Sequence, residues 1–108
     1  MNEAQQIMGA LQYPLTTPIK AHGEDVSQLD LRRPTLAEVK KIGALPYRLT
    51  DPQTGAYSPD MKVMADYISV CASIPPSSVD QLELVDLNQV SWAICSFFTT
   101  PASSASSN

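Results

Sequence analysis

The join at residues 29–39, LDLRRPTLAEV, constrains the fold more than any other stretch of the chain. Leu29 and Leu31 alternate with Asp30 and Arg32, the two-residue period of a strand with one apolar face. Pro34 has no N–H with which to continue a paired strand, and it biases Arg33 towards extended backbone. Thr35 and Glu38 then have the spacing of a capping box, hydroxyl to the N3 amide and carboxylate back to the cap amide. A strand therefore stops here and a helix starts, which points to the α+β class.

Upstream, LQYPLTTPIK places Tyr13, Leu15, Thr17 and Ile19 on one parity and Gln12, Pro14, Thr16 and Pro18 on the other. The two prolines confine this strand to a sheet edge. AHGED supplies a glycine able to take positive φ, so a β-hairpin is expected over 11–32. Downstream, Leu36, Val39 and Ile42 predict a helix over 36–45, limited by Pro46. Residues 46–58, PYRLTDPQTGAYS, are rich in turn-formers and predict a loop. Ser58-Pro59-Asp60 then gives an N-cap, a first-turn proline and an acid near the positive helix end. The helix they open, 59–73, carries Met61, Met64, Ile68 and Cys71 as an apolar stripe. Ile74-Pro75-Pro76 breaks it, and a short helix is expected over 78–84. Asp86 and Gln89 have capping-box spacing ahead of a last helix, 87–99, with Leu87, Val90, Ile94 and Phe97 or Phe98 on one face. The expected architecture is an N-terminal hairpin followed by three to four helices forming a small helical layer, a single domain over 11–99. Residues 1–10 are expected to form a flexible N-terminus, and 100–108, too polar to repay its ordering entropy, a disordered tail.

The chemistry on offer is sparse. The net charge of −4 and scattered bases argue against nucleic acid, which draws on concentrated positive charge. No apolar run approaches the ~20 residues needed to span a bilayer, so no membrane partner is expected. The N-terminal stretch has neither the basic head nor the long apolar body of a secretory signal, which makes the cytoplasm the expected site. One histidine, two cysteines and carboxylates placed in helix first turns do not make a catalytic constellation, so no enzyme is expected. The four glycines are isolated, and His22 has no companion ligand, so neither a cofactor nor a metal is expected. His22 reads as a solvated turn residue, and Cys71 and Cys95 as reduced core thiols. Arg32 and Arg33 point to opposite faces of an extended segment, which disfavours a joint grip on an anion. Met61 and Met64 suit either a core or an adaptable binding surface, and Trp92, Phe97 and Phe98 raise the same choice.

In order, YPL…I…HGEDVSQLDLRRPTLAEV, a helix, a variable loop, a second helix, PPSSVDQLELVDLNQV and a terminal aromatic pair span residues 13 to 98. This arrangement resembles the small tail assembly chaperones of the tail operons of Mu-like and P2-like phages. The residues that carry it are Tyr13-Pro14-Leu15, His22-Gly23, Leu31-Arg32-Arg33-Pro34-Thr35, Pro76, Leu82 and Asp86-Leu87. The loop LTDPQTGAYS has no counterpart in that pattern. The resemblance implies a protein that binds the tape measure protein, hides its apolar surface and helps recruit tail tube subunits. Such a protein acts in the host bacterial cytoplasm and is left out of the mature virion. Partner contact would then run through Met61, Met64, Ile68, Val90, Ile94 and Phe98, presented as a groove for an amphipathic helix, with Arg32 and Arg33 orienting acidic partners. Pairing with a second copy through the hairpin edge stays open. Two rival readings remain. A structural tail component would share the outline, and a helix-turn-helix regulator is suggested by SIPPSSVDQL, although its would-be recognition helix, VDQLELVDL, carries three acids and no base.

Overall fold

The computed structural model describes residues 10–100. The elements run β1 (Ala10–Ala21), β2 (Glu24–Arg32), α1 (Leu36–Ile42), β3 (Tyr47–Asp51), β4 (Ala56–Pro59), α2 (Met61–Ala72), α3 (Pro76–Val79) and α4 (Leu84–Thr99). Two separate two-stranded antiparallel sheets, β1-β2 and β3-β4, accompany the helices, so the fold is α+β. Nearly all of the terminal residues expected to lack order, 1–9 and 101–108, lie outside the described residues.

The first hairpin turns through His22 and Gly23, both at positive φ (54° and 76°), the backbone that tight two-residue turns require. Its register sets Leu11 opposite Leu31, Tyr13 opposite Leu29 and Ile19 opposite Val26. Pro14 faces Gln28 and Ile19 faces Val26, so Leu15 to Pro18 bulge opposite Ser27 alone. The bulge accommodates Pro18 and takes the Thr16 N–H out of the ladder. The edge this leaves is covered from within the chain. Ser78 Oγ donates to the Lys20 carbonyl at 2.6 Å, and the Gln81 amide both accepts from Lys20 N–H at 2.8 Å and donates to its carbonyl at 3.1 Å. Edge coverage of this kind blunts strand pairing with other chains.

At the strand-to-helix join the capping box forms as its spacing predicts. Thr35 Oγ1 accepts from the Glu38 N–H at 3.2 Å, and Glu38 Oε1 accepts from the Thr35 N–H at 2.8 Å. Helix α1 ends at Ile42 rather than at 45, because Gly43 adopts a left-handed cap (φ 87°) and donates to the Val39 carbonyl at 2.9 Å.

Three expectations are corrected further along. The stretch expected as a loop is a second hairpin, closed by Gly55 at φ 80° and by an Asp51 side chain that accepts from the Gln53 N–H at 3.0 Å. Helix α2 starts two residues late. Pro59 belongs to β4, opposite Tyr47, and Asp60 is the N-cap, accepting from the Lys62 N–H at 3.0 Å. The short helix expected over 78–84 is one turn, Pro76–Val79, and α4 begins at Leu84 after an extended Glu83. That break interrupts the continuous recognition helix that a helix-turn-helix reading of VDQLELVDL needs.

The core lies where the inner face of the first hairpin (Ile19, Ala21, Leu29, Leu31) meets α2 (Met64, Tyr67, Ile68, Cys71) and α4 (Val90, Ile94, Cys95, Phe97). Helix α1 has no buried residue and leans on α2 through Val39 and Ile42. Cys71 and Cys95 are free thiols in this core, and burial pushes them up to about 12 and about 11, well above the ordinary 9.0. Both should resist a thiol reagent in native buffer at neutral pH and react once guanidinium unfolds the chain; fast labelling of either in the native protein would contradict this packing.

Candidate functional site

The side chains expected to greet a partner are divided by the fold. Met64, Ile68, Val90 and Ile94 are each 0% exposed, packed among the first hairpin, α2 and α4. Their placement in a surface groove is thereby corrected: the β1-β2 ribbon covers the stripe that the helices alone would leave open. Met61, on the first turn of α2, is half-exposed. Phe98 is partly buried, edge-on to Tyr67 at 5.6 Å and to Tyr47 at 6.2 Å.

Arg32 and Arg33 are both engaged inside the chain. Arg32 forms a two-pronged pair with Glu38, Nη1 to Oε1 at 2.9 Å and Nη2 to Oε2 at 2.8 Å. Arg33 Nη1 donates to the Phe97 carbonyl at 2.6 Å near the C-terminal end of α4, and its guanidinium lies 5.3 Å from the Phe97 ring centre. Glu38 is held down at about 2 from the ordinary 4.5 by the Arg32 bond first and the Thr35 backbone bond second. A lowered carboxyl contributes stability that is full above pH 4.5 and is lost as the pH falls towards about 2. The pair is a third or so exposed, so solvent screens it and the contribution is small. Over that interval the wild-type melting temperature should fall more steeply than that of Glu38→Gln, which lacks the titration; parallel profiles would contradict it.

His22, expected as a solvated turn residue, is exposed and lies with Nε2 3.0 Å from the Ser73 carbonyl, an arrangement in which Nε2 donates. Ser73 is itself left-handed (φ 58°) and closes α2. The contact ties the hairpin turn to the end of that helix.

Asp86 is the one charged side chain among the buried residues described. It is fully buried in the first turn of α4 and accepts from Tyr13 Oη at 2.9 Å, Thr16 N–H at 3.0 Å and Thr16 Oγ1 at 2.9 Å. Burial, followed by the bond to this carboxylate, raises the Tyr13 hydroxyl. The expected capping role of Asp86 is therefore replaced by a clasp on the bulge of β1. No spacing rule in the sequence distinguishes the two.

The surface apolar residues gather elsewhere. Val85 and Trp92, 52% and 43% exposed, share the outer side of α4. The Tyr57 ring lies 5.6 Å from Trp92, and Tyr47 lies 5.2 Å from Tyr57, so the second hairpin stands against this helix as a wall. Leu49, directly across from Tyr57 in the ladder, is 61% exposed. Two shallow clefts also occur, one of about 380 Å³ lined by Glu38, Lys41, Ile42, Asp66, Ser69 and Val70, the other of about 190 Å³ beside Arg33, Leu36 and Phe97. Among the described residues no group of three or more His, Cys, Asp or Glu is placed to hold a metal ion, and no helix is long and apolar enough to cross a membrane. The arrangement suits contact with another macromolecule through apolar side chains.

Residues 12–99 match the model of the family described as phage tail assembly chaperone proteins, E, or 41 or 14. No curated protein and no solved structure matches the chain. Among the described residues the matched span takes in both hairpins and the four helices, short only of the first two residues of β1, and on that breadth the chain belongs to the phage tail assembly chaperone family.

Proposed function

We propose that the protein acts without catalysis as a chaperone of tail assembly, binding the tape measure protein through apolar surface, keeping it soluble and helping recruit tail tube subunits. The observation that carries this reading is the family match over 12–99, joined to large apolar side chains left at the surface of a small fold. Such a chaperone works in the host cytoplasm and is absent from the finished virion. Of the six side chains first expected at the interface, Met61 and Phe98 keep surface to offer, and Val85, Trp92 and Leu49 extend it.

Binding of this kind must be reversible. Covering a few such side chains at ~1.5–3 kcal/mol each is largely offset by the cost of association, so the complex stays weak enough for tube polymerisation to displace. The test is co-expression with the large tape measure protein of the same gene cluster. Soluble tape measure co-purifying with the chain is the expected result; insoluble tape measure in both arms, with no complex, would overturn the proposal. Mass spectrometry of purified virions separates a chaperone, which should be missing, from a structural tail component, which should be present.

A further inference from the structure

The outward side of α4 is unusual for a helix at a protein surface. Between Leu84 and Thr99 the sequence has one carboxylate and no base, and that carboxylate, Asp86, is turned inward to Tyr13 and Thr16. The exposed side therefore holds no charge at all, whereas surface helices ordinarily place charged residues there. Val85 and Trp92 are seven residues apart, two turns that return to within ~20° of the same direction on a helix of 3.6 residues per turn. Asn88 and Gln89 lie exposed between them. With Tyr57 against Trp92 and Leu49 beside Tyr57, the face has a floor and a wall.

Charge identifies the occupant. All seven bases and seven of the eleven acids precede residue 63, so the net −4 belongs to Asp66, Asp80, Glu83 and Asp86. Exposed Asp80 and Glu83 stand just before Leu84 and Val85, and Asp51 closes the second hairpin. Glu83 accepts a bond from Thr17 Oγ1 at 3.2 Å, and among the described residues none of the ion pairs involves it. Arg48 is adjacent to Leu49 in β3 and so points to the other side of the ribbon, towards Asp60 at 4.0 Å. A second copy of the chain would bring the same acids and no complementary base to this face. A helix with lysine or arginine beside its apolar stripe would meet both the uncharged floor and the acidic end.

We infer that the outer face of α4, walled by the second hairpin, is a docking surface for an amphipathic helix with basic residues flanking its apolar stripe. The inference rests on the chaperone reading in that the helix would belong to the client protein, yet its chemistry is testable alone. Trp92 is the sole tryptophan and sits in the proposed contact, so its emission reports occupancy.

The probes are two synthetic peptides of about eighteen residues with one leucine stripe, flanked by lysine in one and by glutamate in the other. The full chain should show a saturable blue shift with the lysine peptide, weakened by salt, and at least about tenfold weaker binding of the glutamate peptide. Val85→Asp puts a carboxylate on the floor at an exposed first-turn position, where the helix dipole favours it in the free chain; in the complex it would lie against the leucine stripe rather than the flanking lysines, and its desolvation, outweighing the added attraction, should weaken lysine-peptide binding by about tenfold or more with an unchanged circular dichroism spectrum. Equal binding of the two peptides, or undiminished binding by the variant, would overturn the inference. So would a blue shift that grows with protein concentration alone, which would make the occupant a second copy. In the tape measure co-expression, rescue by Val85→Asp equal to wild type overturns this site while leaving the chaperone function standing; failure of the wild type itself overturns that function.

Discussion

Replacing Asp86 with alanine should lower the stability of the fold by roughly 3 kcal/mol, through the loss of three hydrogen bonds to one buried charged group. The donors are Tyr13 Oη and two groups of Thr16, and the carboxylate is fully buried. Thr16 itself is exposed, so water recovers part of the loss on its side, and that holds the expected cost below what a wholly enclosed network would show. Tyr13→Phe removes one donor and leaves the other two bonds, and should cost about 1 kcal/mol. Urea unfolding followed by circular dichroism measures both. For a domain whose total stability falls in the ordinary range of about 5–15 kcal/mol, the alanine variant should show a clearly lower midpoint. A variant within about 0.5 kcal/mol of wild type would mean that the clasp contributes nothing beyond what solvent supplies.

Ile68→Asp should remove a large share of the stability of the fold. The side chain is 0% exposed, between the first hairpin and α4, and a carboxylate there has no cationic partner within the core. The expected cost is about 4 kcal/mol or more, against about 1 kcal/mol for Ile68→Val, which removes a single methyl group. The same apolar-to-acid change at Val85 should leave the fold intact, because that position already meets water. Circular dichroism of the two aspartate variants therefore separates a residue of the core from one at the surface. An Ile68→Asp variant as stable as wild type would place the helix stripe at the surface after all.

The contrast shows what the sequence made legible. Periodicity identified the apolar sides of α2 and α4 correctly, since Met64, Ile68, Val90 and Ile94 all face one way. It did not say what covers them. The cover is the inner face of the first hairpin, whose Leu29 and Leu31 close over the same stripe. Local rules worked where the bonds are local, as at Thr35 with Glu38 and at His22-Gly23. They failed at Asp86, where capping-box spacing with Gln89 concealed partners in β1. The second hairpin was missed because its strands are only five and four residues long and Asp51-Pro52 interrupts the alternation. What holds it is the aromatic contact of Tyr47, Tyr57 and Trp92, which is a tertiary matter. The docking face was half visible, since Trp92 stood out as an aromatic in need of a place, while Val85 and Leu49 gave no signal before the helix and ribbon were set side by side.

The clasp of Asp86 on Thr16 and Tyr13 also dictates an order of events during synthesis. Thr16 and Tyr13 lie 70 and 73 positions before Asp86 along the chain. The opening ribbon leaves the ribosome early, yet its bulged stretch stays without its acceptor until the final helix has emerged. Closure of so wide a loop comes late and slowly, and a nascent chain halted before that helix would expose Leu29 and Leu31 to its neighbours.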